Sequence, residues 1–258
     1  WLTVRSPAAP ARPQPAAGAQ QESWRSTLGE MLATPAFGLV VAAGTLAAVM
    51  GYAIGTWNPS FLIRSHGLTM QQAGLLVGLG GGICSTIGTL VCGSVTDRLV
   101  ARDPGWQLLI PFLGCVVSVP LGLAFYLWPA DVAFHIGSLP VPEAFLFYLG
   151  FSFTAIWWSV PCFGAISHLF PPNRLAQATA IFVMSMTLLG VGLGPIIVGT
   201  LSDVFKPELG QEALRYALAA SVLLYLLAAG CLLAAVGRYR RKLRANAAPP
   251  AAAAAASA

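Results

Sequence analysis

Charged side chains are concentrated in one short stretch of this sequence. GSVTDRLVARD, from Gly93 to Asp103, carries two carboxylates and two arginines between two long apolar runs. A carboxylate such as Asp97 can accept hydrogen bonds from the N-terminus of a neighbouring helix, whose dipole favours negative charge by about 0.3–1 kcal/mol. Arg98 and Arg102 can pair with that carboxylate or with anionic groups, and Gly93 permits two helices to approach closely. Such chemistry holds helices together reversibly and breaks no covalent bond.

The sequence contains no residue pattern typical of a catalytic site or a metal-binding site. The three histidines have no metal-ligand spacing, and the five cysteines lie singly in apolar runs without Cys-x-x-Cys spacing. An intramembrane serine protease would need Gly-x-Ser-Gly with a helix histidine, and an aspartyl protease would need carboxylates inside the bilayer. All nine carboxylates lie at the ends of apolar runs or outside them. We therefore expect no enzyme, no metal site and no cofactor, and no proton-coupling group in this chain.

The composition indicates a membrane protein. Apolar residues make up 57% of the chain and charged residues 9%, and the mean hydropathy is +0.73. A soluble domain carries roughly 25% charged residues, so this chain could not cover an ordinary water-facing surface. The net charge of +5 is small and clustered, which favours topology signals over a nucleic-acid-binding surface. We expect membrane lipids as partners, and no nucleic acid.

Six apolar runs are long enough to cross a bilayer, which takes about 20 residues. They cover roughly 36–62, 71–95, 107–128, 144–170, 175–201 and 213–237. The segments on one side of these runs hold eleven lysines and arginines, and the segments on the other side hold three, namely Arg64, Lys206 and Arg215. The positive-inside rule then places both termini in the cytoplasm. The sequence thus predicts an all-α integral protein of the cell's inner (plasma) membrane, with a six-helix membrane domain over 35–237.

The two ends of the chain differ from this membrane domain. Residues 1–34 begin with an Ala- and Pro-rich segment, which predicts a flexible cytoplasmic linker. Within it Trp24, Leu28, Met31 and Leu32 have helical spacing, which suits either a short helix in the membrane interface or the frayed start of the first span. Residues 238–258 form a basic cluster followed by an Ala-rich cytoplasmic tail.

A second short motif repeats the first. GTLSD, from Gly199 to Asp203, matches GSVTD at a constant offset, because 199 − 93 and 203 − 97 are both 106. Each motif closes the second run of a triplet and follows a glycine-rich segment. Since three crossings are an odd number, the second triplet is inverted relative to the first. Two inverted three-helix repeats within six helices are a transporter architecture, with sites near the midplane.

These residues resemble a known family. GSVTDRLVARD resembles the loop motif of the major facilitator superfamily, which reads Gly-x-x-x-Asp-Arg followed by basic residues. The ordered series GTWNPSFL, GLLVGLGGGICSTIGTLVCGSVTDRL, PPNRLAQATA, GVGLGPIIVGTLSD and ALRYALAASVLLY is similar to the carboxyl-terminal half of spinster-like members. The resemblance implies spans seven to twelve of a twelve-helix fold, with a missing N-terminal half of six helices. In one departure, Leu175 occupies a position where the family usually has arginine, and Arg174 precedes it.

The resemblance also implies functional roles for particular residues. It assigns a conformational latch to Gly93, Asp97, Arg98 and Arg102, with a plain topology-setting loop as the alternative. It implies that the first span of each triplet lines a central cavity, so the candidate solute contacts are Tyr52, Trp57, Asn58, Trp157, Trp158 and Ser159. Trp57 and Asn58 also suit the outer interface, where tryptophan is an ordinary anchor.

Glycines four residues apart predict close packing between spanning helices. The residues assigned to helix packing or bending are Gly74, Gly78, Gly82, Gly190, Gly194 and Pro195, the last of them as a flexible bend. Taken together, the sequence predicts a secondary active transporter of a small organic or lipid-like solute that works by alternating access. The alternative is a non-transporting six-span protein with an assembly or regulatory role.

Overall fold

The computed structural model describes residues 29, 31, 33–137 and 139–247. Its regular elements are, in order, α1 (Pro35–His66), α2 (Met70–Leu75), a π-helical segment (Leu76–Gly81), α3 (Gly82–Val100), α4 (Trp106–Leu127), β1 (Val132–Ile136), β2 (Leu139–Pro142), α5 (Ala144–Ala155), α6 (Ser159–Leu169), α7 (Pro172–Leu209), a 3-10 turn (Gly210–Glu212), α8 (Ala213–Val222) and α9 (Leu224–Ala247). The predicted linker, most of the predicted interfacial helix and the Ala-rich tail lie outside the described residues.

Five stretches of helix are long and apolar enough to cross a membrane: Pro35–His66, Met70–Val100, Trp106–Leu127, Ala144–Leu169 and Pro172–Asn246. The last contains 75 residues, which as one straight helix would be about 110 Å long at 1.5 Å per residue. That length is several times the roughly 30 Å of a bilayer core. The stretch is instead interrupted at Gly210, whose φ of 55° lies in the left-handed region that favours glycine.

Two contacts establish the direction of the chain after this interruption. Arg215 at the start of α8 donates a hydrogen bond to the carbonyl of Trp128, which follows the end of α4. Arg240 near the end of α9 forms an ion pair with Asp103, which precedes the start of α4. Helices α8 and α9 together therefore run antiparallel to α4.

Helices α1 and α7 run parallel to each other along most of their lengths. Phe182 lies against Gly44, Gly190 against Tyr52, and the indole nitrogen of Trp57 is 3.0 Å from the carbonyl oxygen of Pro195. Contacts thus advance in the same direction on both helices. This parallel pair, with α9 packed beside α1, forms one side of the helical bundle.

The fourth predicted run is divided into two helices. Helix α5 ends at Ala155 and α6 begins at Ser159, so the interruption falls just before Pro161. Proline has no backbone N–H to donate to the carbonyl four residues earlier, which here belongs to Trp157. The helix is therefore fully interrupted just ahead of this proline.

Several boundaries differ from the sequence prediction. Helix α7 covers Pro172–Leu209, where 175–201 was predicted, and α9 continues as helix to Ala247, ten residues beyond the predicted end of the membrane domain. A short antiparallel hairpin of β1 and β2 is the one departure from helix among the described elements. Its turn contains Gly137 with a φ of 62°, and the side chains of β1 are exposed.

Candidate functional site

Helix α1, the π-helical segment, α3, α5, the α5–α6 junction and α9 line an open cavity of about 320 Å³. None of its lining residues is charged, and they include Gly51, Gly78, Gly82, Ser85, Tyr148 and Trp158. Glycine backbone, serine hydroxyls and aromatic rings make a surface that is largely apolar with a few hydrogen-bonding groups. Surfaces of this kind are typical of small-molecule sites in proteins.

The π-helical segment shapes one wall of this cavity. The hydroxyl of Tyr148 on α5 is 3.4 Å from the carbonyl oxygen of Val77, at the start of the π segment. A side chain at Gly81 would overlap the same hydroxyl, so only glycine permits this approach. Single π-helical turns inside α-helices frequently occur at functional sites. The sequence analysis missed this segment, and its only signal was the run of glycines.

The glycines of the second span pack differently from the prediction. Atoms added at Gly74, Gly78 or Gly82 would meet nothing within 4 Å, so these three do not form a packing face among the described residues. The glycines that contact neighbours are Gly80 against Phe145, Gly81 against Tyr148 and Gly88 against the backbone of Phe153. The π turn inserts about one extra residue, which rotates later positions by about 100° and breaks the four-residue period.

The glycines of the fifth span lie where α7 crosses α1. A Cβ atom at Gly190 would lie 2.7 Å from the Tyr52 ring, and one at Gly194 would overlap the carbonyl oxygen of Val49. Helix α7 continues without a break through Pro195. The carbonyl of Pro195 accepts the hydrogen bond from Trp57.

The predicted solute contacts of the first span do not line the 320 Å³ cavity. Tyr52 packs on Gly190 with its ring partly exposed. Trp57 lines a different cavity, of about 640 Å³, together with Arg64 and Asp203. Asn58 is fully buried, and its Oδ1 accepts a hydrogen bond of 2.7 Å from the hydroxyl of Tyr126. Gly51 and Gly55 of α1 do line the cavity. They lie one helical turn apart and therefore share one face of the helix.

The predicted contacts of the fourth span divide between two surfaces. Trp158 lines the 320 Å³ cavity. Trp157 packs instead on Gly114 of α4 and on Phe153, and its indole N–H is buried with no hydrogen-bond partner among the described residues. Ser159 donates a hydrogen bond of 2.9 Å to the carbonyl of Ile156 within the interruption.

Two side chains from other helices hold this interruption in place. The carbonyl of Trp157, which Pro161 leaves without a backbone donor, accepts a hydrogen bond of 3.3 Å from the thiol of Cys92 on α3. The carbonyl of Pro161 accepts one of 2.8 Å from the amide of Gln107 on α4. The position of Trp158 at the cavity therefore depends on α3 and α4. Both contacts join residues more than 50 positions apart, and no sequence pattern predicted them.

The residues of the predicted latch lie together at the end of α3. Asp97, Arg98 and Arg102 are exposed, and their side chains make no hydrogen bond or ion pair with the part of the chain that the structure describes. A Cβ atom at Gly93 would lie 4.0 Å from Val160, which is ordinary contact. The close approach that the sequence predicted at Gly93 is not made within these residues.

A neighbouring carboxylate, which the sequence analysis did not select, makes the strong contact in this region. Asp103 Oδ1 accepts hydrogen bonds from the backbone N–H of Gly105 at 2.9 Å and from Nε of Arg240 at 3.1 Å. The Arg240 guanidinium also pairs with Oδ2. The Gly105 hydrogen bond, followed by that of Arg240, lowers the pKa of Asp103 below its usual 3.8. The loop after α3 is thereby joined to the last helix.

Replacing Asp103 by Asn is expected to destabilise the chain at neutral pH but not in acid. Because the pKa of Asp103 is lower in the folded protein, its contacts stabilise the fold above about pH 4, and this stabilisation disappears as the pH falls through the folded pKa. The melting-temperature gap between wild type and Asp103→Asn in detergent should therefore narrow below about pH 4. Arg240→Gln should behave alike, and the double variant should add little. A gap that is constant with pH would contradict the assignment.

The described residues form no cluster of metal ligands. No group of three or more His, Cys, Asp or Glu side chains is close enough to hold a metal ion within 33–137 and 139–247. The arrangement as a whole offers an uncharged cavity and a charged loop at one end of the helical bundle.

Comparison with known proteins gives the family. The Major Facilitator Superfamily matches over residues 1–195. An MFS-type efflux pump of Mycolicibacterium smegmatis is 35% identical over 234 residues, which cover 89% of this chain and 51% of that protein. Protein spinster homolog 1 of Xenopus tropicalis is 26% identical over 192 residues, covering 70% of this chain and 35% of the homolog.

Solved structures agree on the fold. The crystal structure of a bacterial homolog to the human lysosomal transporter Spinster, inward-facing and unoccupied, superposes with a TM-score of 0.75 at 19% identity. The match covers 94% of this chain and 56% of that one. An inward-facing, occupied structure with the same description has a TM-score of 0.71 over 83% of this chain and 51% of that chain.

The chain spans at most about half the length of the curated relatives it matches. The matches nevertheless extend over most of the chain itself, in sequence and in fold. They are to membrane transporters and not to enzymes, which agrees with the apolar helices and the uncharged cavity. The chain belongs to the Major Facilitator Superfamily and, within it, is similar to the spinster-like transporters.

Proposed function

We propose that this chain is the carboxyl-terminal half of a secondary active transporter that moves a small organic or lipid-like solute by alternating access. The observation that supports this proposal is the uncharged 320 Å³ cavity beside the π segment. Its lining combines aromatic rings with a few hydroxyl groups. An amphipathic solute suits such a lining. The proposed partner is an amino-terminal half of six helices, which would complete the cavity.

The proposed half has six crossings arranged as two inverted three-helix repeats. The antiparallel course of α8 and α9 supports two crossings within the 75-residue apolar stretch. Asp97 of the first motif lies near the end of the bundle that holds Asp103 and Arg240. Asp203 of the second motif lines a cavity with Arg64, at the opposite end of α1. Opposite placement of the two motifs is what inversion requires.

We expect the chain to lie in the plasma membrane with both of its ends in the cytoplasm. Cysteines introduced at Arg64 and Arg102 test this orientation, because both side chains are exposed and lie in loops or at helix ends. A membrane-impermeant maleimide added to intact cells should label the first and not the second. Labelling of both variants from the same side would refute the proposed topology.

The predicted latch is proposed to form a contact between this carboxyl-terminal half and the amino-terminal half. Asp97, Arg98 and Arg102 are exposed at one end of the bundle, as a contact with the missing half would require, and Gly93 leaves room for a neighbouring helix. In one conformation Asp97 would accept hydrogen bonds from a helix N-terminus, and in the other it would be released.

Asp97→Asn is expected to shift the balance between the two conformations of the complete protein by about tenfold, because hydrogen bonds to a charged group contribute roughly 1.5–3 kcal/mol. Solute uptake should fall accordingly. Distances between spin labels on the two halves measure the conformers, and radiolabelled solute measures uptake. Wild-type uptake together with a wild-type conformer balance in this variant would end the latch proposal.

The transport function itself is tested in proteoliposomes that contain the complete protein. A panel of amphipathic fluorescent solutes, preloaded in the vesicles, should include at least one whose release depends on the protein. Because no charged side chain lines the cavity, we expect coupling carboxylates either to lie in the amino-terminal half or to be absent. If no solute or ion gradient in such a panel produces movement, an assembly or regulatory role becomes the better account.

A further inference from the structure

The last turns of α9 carry cations on two different faces. Arg240 and Arg244 lie toward Asp103, and both contribute to the lowered pKa of that carboxylate. The other face holds positions i, i+3 and i+4, which are neighbours on a helix surface. Its cations are Arg238, Arg241 and Lys242.

This second face forms one wall of a groove of about 460 Å³. The opposite wall is the start of α1, including Pro35 and Ala36, and Ala245 of α9 extends the apolar part. The groove therefore has cations on one side and small residues, apolar except for Thr34, on the other. It opens at the end of the bundle where α1 begins and α9 ends, which is an edge of the apolar belt.

The cations of the groove have no acidic partner among the described residues. Arg238 donates a hydrogen bond to the carbonyl of Ala234 in its own helix, and neither Arg241 nor Lys242 forms an ion pair there. Asp103, which lies against the other face of this helix, is already paired with Arg240. The charge of the groove is thus available to an anion.

A second cavity, of about 410 Å³, lies on the far side of Lys242 and is lined by His168 and Asn246. His168 Nδ1 is 2.9 Å from the hydroxyl of Tyr239, which fixes the end of α6 against α9. Lys242 belongs to both cavities. The two spaces give this end of α9 a continuous basic surface with room for a bulky headgroup.

We propose that the groove between the start of α1 and Arg238, Arg241 and Lys242 binds the phosphate of an anionic membrane lipid. The three cations contact the phosphodiester, and the lipid's glycerol and first methylenes lie along Pro35, Ala36 and Ala245. Anionic lipids are concentrated in the cytoplasmic leaflet, and basic pockets between spanning helices on that side bind their headgroups. The site differs from the solute cavity and from the latch.

Binding of phosphatidylglycerol to the full chain in detergent, compared with phosphatidylcholine of the same acyl composition, tests the proposal. Native mass spectrometry over a lipid titration gives the Kd. Arg241→Gln should weaken phosphatidylglycerol binding about fivefold, and Arg238→Gln with Arg241→Gln about 25-fold. Phosphatidylcholine should bind more weakly than phosphatidylglycerol and should be unaffected by either change.

Arg64→Gln is the matched control, because it removes the same charge from an exposed position near the far end of α1, about 40 Å from the groove at 1.5 Å per residue. Its phosphatidylglycerol Kd should stay within about twofold of wild type, since screening leaves little effect beyond a Debye length. Circular dichroism of each variant checks that the helices are intact. Equal weakening by Arg241→Gln and Arg64→Gln, or equal binding of the two lipids, would overturn the site. Displacement of the lipid by equimolar inorganic phosphate would assign the groove to a soluble anion instead.

Discussion

Replacing Gly82 by leucine is expected to reduce solute transport by the complete protein by roughly tenfold or more, a magnitude that small changes in pocket volume produce. Gly82 lines the 320 Å³ cavity, and a Cβ atom added there would meet no atom within 4 Å. Leucine can therefore place its Cβ atom without displacing a neighbour, and we expect the rest of its side chain to enter the space proposed for the solute. Its higher helix propensity, worth up to about 1 kcal/mol over glycine, should keep the fold stable.

Gly230→Leu provides the control for this prediction. Gly230 is an exposed glycine on α9 with no atom within 4 Å of an added Cβ, and it does not line the cavity. The measurement compares the initial rate of solute release from proteoliposomes with the melting temperature of each variant. Normal transport by Gly82→Leu, or an equal loss in both variants, would show that the cavity is not the solute site.

Gly194→Ala is expected to destabilise the chain by about 1–3 kcal/mol, the usual cost of inserting a group into a packed interface. The new Cβ would overlap the carbonyl oxygen of Val49 and lie 3.0 Å from the backbone nitrogen of Ala53. These are backbone atoms of α1, so no side-chain rotation can relieve the overlap. The two helices would have to separate, and the Trp57 hydrogen bond to Pro195 would be strained.

Gly192→Ala tests whether this effect comes from the helix crossing. Gly192 lies two residues earlier on α7, and an added Cβ there would meet nothing within 4 Å. The alanine should be neutral or stabilising, because glycine costs a helix about 1 kcal/mol relative to alanine. Thermal unfolding in detergent, followed by tryptophan fluorescence, measures both variants. If the two melting temperatures fall together, close packing of α1 on α7 is not what Gly194 provides.

The membrane character and the family were predictable from the sequence for a simple physical reason. A bilayer imposes a minimum length of apolar helix, so residues 36–62 and 107–128 stand out as long runs without charge. Loop motifs such as the one ending at Asp97 also have fixed spacing. The predicted family is confirmed by the comparisons. A bend near Pro161 can also be expected from the sequence, because the missing N–H of proline is a local property, but the extent of the interruption cannot.

The details of the cavity could not be predicted in the same way. The sequence shows glycines at 74, 78 and 82, but a regular period of 3.6 residues does not reveal that Leu76–Gly81 forms a π-helical segment. That segment changes which glycines face a neighbour. The same limitation affected Tyr52 and Asn58. The sequence places both residues on α1 but does not show which face of α1 lines the cavity, and that face contains Gly51 and Gly55 instead.

Contacts between distant positions were the other omission. Asp103 and Arg240 are 137 residues apart, and each alone reads as an ordinary charge near a membrane edge. From the sequence, Cys92 is predicted only to be a small buried residue. Its hydrogen bond to the carbonyl of Trp157 is visible only in the structure. Such pairs depend on how helices pack, which a single sequence does not specify.

The most direct test of the proposed transport mechanism is the accessibility of a cysteine at Ser85, a cavity-lining residue of α3. Cys84 and Cys231, the two natural cysteines that are not buried, would first be replaced by alanine. A membrane-impermeant maleimide is then applied to the complete protein in right-side-out and in inside-out vesicles. Alternating access predicts reaction from both sides, slowed by a transported solute. Reaction from one side only, or from neither, would contradict it.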